Sequence, residues 1–88
     1  MTAYSAAPGV LAQQLDDEVI LLDTASGVYF RLNDSGAAAW DLIEQGRDLP
    51  GIVAELASRF GQPESVIQAD ISALLHDLES RGLVSARE

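Results

Sequence analysis

Residues Glu18–Asp34, EVILLDTASGVYFRLND, decide the fold. The first six set the aliphatic run Val19-Ile20-Leu21-Leu22 between two acids. A short apolar run bounded in this way reads as a strand covered on both faces. Thr24-Ala25-Ser26-Gly27 then reads as a hairpin loop. Gly27 supplies the positive φ that such a loop needs at its end, and the Asp23 carboxylate is placed to cap turn amides. Val28–Leu32 returns as a strand with a period of two: Val28, Phe30 and Leu32 share one face, Tyr29 and Arg31 the other. At Asn33 the apolar period changes to helical. Asn33 or Asp34 is the cap of the first helix, so this segment is the seam between a sheet and a set of helices.

Upstream, Val10–Leu15 predicts another strand, ended by Asp16-Asp17. Residues 1–8, MTAYSAAP, are small and polar and are expected to fray as a flexible tail, leaving one domain over 9–88. Downstream, the first helix runs to about Gln45, with Ala37, Trp40 and Ile43 as its buried stripe and Gly46 as its stop. Asp48 caps a second helix over Leu49–Phe60, with Pro50 tolerated in the first turn. Its stripe is Ile52, Val53, Leu56 and Phe60, and Gly61 ends it. Pro63 opens a third helix through Arg81, with Ile67, Ile71, Leu74, Leu75 and Leu78 inward. Gly82 follows as the residue after the helix, and Leu83-Val84 fold back onto it. The predicted class is α+β: a three-stranded antiparallel sheet followed by three helices, in a winged helix-turn-helix-like layout.

Composition narrows the chemistry. The chain has 88 residues, no cysteine, 14 acidic residues and 5 basic ones, all arginine, for a formal charge of −9. Disulfides, thiolate metal sites and thiol nucleophiles are thereby excluded. Scattered arginines on an acidic chain argue against phosphate backbones and anionic membrane surfaces. No apolar run approaches the ~20 residues of a membrane span, and the first residues lack the pattern of a signal peptide. The expectation is a cytoplasmic protein. His76, the one histidine, falls opposite the apolar stripe of the third helix and reads as a solvated position. No metal-ligand spacing, phosphate-cradling glycine loop or converging carboxylate pair occurs. No cofactor, metal or catalytic residue is expected.

Recognition of an extended chain remains. If Val28–Leu32 lies at a sheet edge, its free N–H and C=O groups are a template for an added strand. A helix beside that edge would complete a groove. On the third helix Val66, Asp70, Ala73 and Asp77 fall within about 60° of one another beside the core stripe. The same flank also reads as an ordinary solvated helix face.

Leu21-Leu22-Asp23-x-x-Ser26-Gly27-x-Tyr29-Phe30-x-Leu32-Asn33-x-x-Gly36, then Trp40, resembles the PqqD-like peptide-modification chaperones, also called RiPP recognition elements. Ile52-Val53-x-x-Leu56, Asp70-Ile71-x-x-Leu74-Leu75-x-x-Leu78 and Gly82-Leu83-Val84 continue the resemblance over residues 9 to 85, nearly the whole chain. The Gly-x-Tyr-Phe-x-Leu-Asn segment is most similar to the free-standing proteins of lasso-peptide biosynthesis. The resemblance implies a non-catalytic adaptor that binds the leader segment of a ribosomally made precursor peptide. It implies Val28, Tyr29, Phe30, Arg31 and Leu32 as the pairing strand, with Val66, Asp70, Ala73, Leu74 and Asp77 as the helix wall. It implies as partners the leader, a separate leader peptidase and a macrocycle-forming cyclase. A monomer or weak dimer is expected. Phe30, Leu32, Trp40, Ile71 and Leu75 read as core, as does Phe60. Three other readings stay open: a DNA-binding winged-helix regulator, a chaperone for another peptide-modifying enzyme, and an acidic subunit of a larger enzyme.

Overall fold

The computed structural model describes residues 3–87, with the side chains of Asn33 and Arg87 outside the description. In chain order the elements are β1 (Ala3–Ala6), β2 (Val10–Leu15), β3 (Glu18–Asp23), β4 (Tyr29–Asn33), α1 (Ser35–Glu44), α2 (Leu49–Phe60), α3 (Glu64–Ser80) and β5 (Val84–Arg87). The class is α+β: β2, β3 and β4 form an antiparallel sheet in that order, and the three helices follow.

The hairpin forms as its loop chemistry dictates. The Asp23 carboxylate accepts from the Ala25 N–H and the Ser26 hydroxyl, both at 3.0 Å. Gly27 takes φ +78° and its N–H donates to the Asp23 carbonyl at 2.8 Å. The Val28 N–H goes to Ser26 Oγ at 3.2 Å, so β4 begins one residue later than the alternation suggests. Val28 is accordingly exposed, at the open end of the helix-side face.

Only one face of this sheet meets the helices. Val19, Leu21 and Leu32 are buried there, with Phe30 half-buried. The expected double coverage of the Val19–Leu22 run is corrected: Ile20 and Leu22 are half-buried, sheltered on the far face by their cross-strand neighbours alone.

The predicted tail is also corrected. Ala3–Ala6 pairs antiparallel with β5, Ala6 opposite Val84, and Tyr4 packs against the core. Met1 and Thr2 lie outside the described residues.

The helices follow their caps, with one exception. Asp48 Oδ1 accepts from the Gly51 N–H at 2.9 Å, and α2 ends at Gly61 in the left-handed conformation. After α3, Gly82 takes φ +74° and the Leu83 N–H returns to the Leu78 carbonyl at 2.9 Å, which buries Leu83 and Val84. At α1 the cap position is Asp34, but its side chain makes no capping bond. A capping residue needs extended backbone to turn its oxygen onto the amides, and Asp34 sits at φ 48°. Leu21, Trp40, Ile52, Leu56, Ile71, Leu75 and Leu78 fill the centre of the core. Phe60 does not join them: as the last residue of α2, beside Gly61, it remains 41% exposed. No helix among the described residues is long and apolar enough to cross a membrane.

Candidate functional site

The strand order leaves β4 at one edge of its sheet. The Asp23 N–H donates to the Val28 carbonyl at 2.9 Å, and these two residues stand opposite each other in the continued β3–β4 register. Bonded and non-bonded pairs alternate along an antiparallel ladder. Leu21–Phe30 and Val19–Leu32 are therefore the bonded pairs, while Leu22–Tyr29 and Ile20–Arg31 are not. The backbones of Tyr29 and Arg31 thus point away from β3, into the open edge. Their side chains lie on the sheet face away from the helices, where Tyr29 is 70% exposed and Arg31 sits 3.6 Å from Glu18. Phe30 and Leu32 do the reverse: their amides hold the ladder and their side chains turn toward the helices.

Helix α3 forms the opposite wall. A cavity of about 230 Å³ lies between Phe30, Leu32, Gly36, Asp70, Ile71 and Leu74. A second, of about 290 Å³, lies between Val28, Phe30, Arg81 and Leu83. The Phe30 ring borders both. The Arg81 guanidinium stacks 4.9 Å above that ring, and its Nε donates to Asp77 Oδ1 at 3.1 Å. Gly36 lies close to both walls: a β-carbon there would meet Leu32 Cβ and Leu74 Cδ2 at 3.6 Å.

Of the residues expected at this site, Val28, Phe30, Arg31, Leu32, Asp70 and Leu74 line the two cavities. Tyr29 contributes backbone alone. Asp77 reaches the groove through Arg81. Val66 and Ala73 are exposed and line neither cavity. The α3 residues that line the cavities are Asp70, Ile71, Leu74 and Arg81, on the core-stripe side of the expected flank. Gly36, Arg81 and Leu83 were not anticipated. The four-residue spacing of Asp77 and Arg81 was the available signal for the second of these. Among the described residues no group of three or more His, Asp or Glu side chains is placed to hold a metal ion.

The site can hold an extended polypeptide. It offers outward N–H and C=O groups along β4, two cavities on the helix side bordered by Phe30, and, at the rim, the Asp70 carboxylate, which has no ion pair among the described residues. Comparison with known proteins bears on this geometry. Residues 18–84 match the family model of coenzyme PQQ synthesis protein D, PqqD. Two solved structures superpose closely. One is TbiB1 in complex with the TbiA(beta) leader peptide, with TM-score 0.88 and 27% identity over 92% of this chain and 94% of that one. The other is lasso peptide synthetase B1 complexed with the leader peptide, with TM-score 0.86 and 27% identity over 93% of this chain and 96% of that one. No curated protein matches the chain.

Proposed function

We propose that this chain, which belongs to the PqqD family, is a non-catalytic adaptor of the lasso-peptide type that holds the leader segment of a precursor peptide. The leader adds as a strand to β4, against α3, and is presented to a separate peptidase and macrocyclase. The observation that carries this reading is the pairing of an open β4 edge with a two-cavity wall, in a chain that superposes on two leader-bound proteins.

The mechanism is an exchange of solvation for pairing. An unstructured leader gives up water for main-chain hydrogen bonds to Tyr29 and Arg31, each worth ~1 kcal/mol net. Because side chains alternate along a strand, every second leader residue faces α3. Two apolar residues at such positions fill the cavities on either side of Phe30, at ~1.5–3 kcal/mol each if fully buried. Ordering the leader consumes several kcal/mol, which sets the affinity at about micromolar to nanomolar. Backbone pairing reads no sequence, so the cavities set the register. Asp70 favours a leader with a basic residue beside the first cavity.

The test is titration of a fluorescent leader peptide, with duplex DNA as the control, alongside amide exchange. The expected result is saturable leader binding with slowed exchange at Tyr29 and Arg31 and no binding of DNA. Leader binding without protection of those two amides would exclude strand addition at β4.

A further inference from the structure

The sheet has a second open edge. Among the described residues strand β2 pairs with β3 alone, and the register assigns its bonds. Since the amides of Val19, Leu21 and Asp23 face β4, those of Glu18, Ile20 and Leu22 face β2. The Thr24 N–H to Gly9 carbonyl bond at 3.0 Å continues that alternation. Leu11, Gln13 and Leu15 therefore hold the ladder, and the backbones of Ala12 and Gln14 point outward. Strand β2, VLAQQL, carries no charge, proline or glycine, the usual devices that block an open edge.

Helix α1 stands beside this edge as α3 stands beside β4. A cavity of about 60 Å³ lies between Ala12, Gln14, Val19, Trp40, Asp41 and Glu44. It borders a cleft of about 440 Å³ that shares Gln14 and Asp41 and reaches the exposed Phe60 and the carboxylates of Asp16, Asp17 and Asp34. Trp40 is only 2% exposed, and its Nε1 is the one buried side-chain polar atom without a partner among the described residues. A buried donor of this kind calls for an acceptor. Asp41 and Glu44 form no ion pair among the described residues, and the one cation of the cleft, Arg59, is already bound to Glu55 at 3.1 Å.

We propose that β2 and α1 form a second strand-adding groove, and that its occupant is a strand of another protein in which cationic and apolar residues alternate. The alternation follows from the two faces of an added strand. One face meets Asp41 and Glu44, where cationic side chains are paired. The other meets Leu11, 59% exposed, and Leu15, 49% exposed, where apolar side chains are covered. Trp40 lines the cavity beneath the added strand, so its indole reports occupancy of the groove. A second copy of this chain is a poor occupant: its own β2 has no cation, and each copy carries −9. The groove does not depend on leader binding at β4.

The test uses a panel of capped peptides about eight residues long, alternating Lys or Arg with Val, Ile or Leu, added to the full chain in low salt. Trp40 is the only tryptophan, so its indole gives a single ¹H–¹⁵N cross-peak. The expected result is a saturable shift of that peak, with slowed exchange at Ala12 and Gln14. Asp41→Asn with Glu44→Gln, both at exposed positions and checked for folding by a thermal melt, weakens binding about five- to tenfold. Gln14→Pro removes an outward donor and weakens it further. The proposal is overturned if no peptide of the panel moves the indole peak, or if only Tyr29 and Arg31 respond. It is also overturned if Ala12 and Gln14 become protected without peptide as protein concentration rises, because the occupant is then a second copy.

Discussion

Replacing Tyr29 or Arg31 by proline separates strand addition from every other way of holding a leader. Both residues turn their N–H groups to the open edge, so neither replacement removes a bond of the β3–β4 ladder, which runs through Phe30 and Leu32. Proline is compatible with an edge strand at such positions. The lost donor removes one pairing bond, ~1 kcal/mol net, and can leave a leader carbonyl buried without a partner, at up to ~3 kcal/mol. At ~1.4 kcal/mol per decade this weakens the leader roughly 5- to 150-fold. Tyr29→Ala and Arg31→Ala are the controls, since each keeps its N–H. Loss of the exposed Arg31–Glu18 pair, 3.6 Å apart, costs at most ~1 kcal/mol of stability. Fluorescence anisotropy gives the affinity, and far-UV circular dichroism with a thermal melt shows that each variant is folded. If both proline variants are folded and bind within about twofold of the parent, less than one bond is worth, leader pairing with β4 is refuted.

Three further outcomes follow from the same geometry. Asp70→Asn should lower the affinity for a leader carrying a basic residue and flatten its salt dependence. Asp77→Asn should change the salt dependence less, because Arg81 already neutralises that carboxylate. Both are read by anisotropy across a salt series. Gly36→Ala should raise the melting temperature, since alanine in place of helical glycine gains about 0.5–1 kcal/mol. Its methyl group sits in ordinary van der Waals contact with Leu32 and Leu74 at the cavity wall, so the same variant should stay folded and weaken leader binding only where a leader side chain needs that space. Trp40→Ala should cost about 3–5 kcal/mol, a large part of the roughly 4–13 kcal/mol expected for 88 residues, and denaturant titration should show the midpoint falling accordingly.

What the sequence disclosed was local. The Asp23–Gly27 turn, the bounds of α2 and the return of Leu83-Val84 each depend on a few adjacent residues, and each is found where its chemistry requires. The β1–β5 pairing was invisible because neither strand carries a strong signal of its own. Each is short, and its partner lies at the other end of the chain. Helical periodicity located the groove wall on α3 to within half a turn but could not fix its rotation. Leu74 was therefore identified by resemblance, and the cavities take in Arg81, which was not expected there, and leave Val66 and Ala73 outside their lining. Phe60 shows the same limit: its spacing from Leu56 is helical, yet burial depends on what lies beyond the end of α2. The orphan Nε1 of Trp40 has no sequence signature, since an indole in a core ordinarily finds an acceptor.

An open-edged sheet raises a physical problem that the charge of this chain answers. Unpaired edges template self-association, and most proteins block them with inward charges, prolines or bulges on the strand itself. Here neither β2 nor β4 contains a proline, and Arg31 is the only charge on either. The acids sit instead on the helices beside the edges: Asp70 beside β4, where Asp77 is already paired with Arg81, and Asp41 and Glu44 beside β2. That placement leaves the backbone groups accessible while making each groove repel a copy of the same acidic chain. A neutral or basic strand from elsewhere meets no such repulsion. If strands add at these edges as proposed, the balance of 14 acids against 5 arginines acts as a filter on which strands pair. It follows that screening the charge with salt should weaken the binding of basic peptides and at the same time favour self-association. An electrically neutral pairing surface would show neither trend.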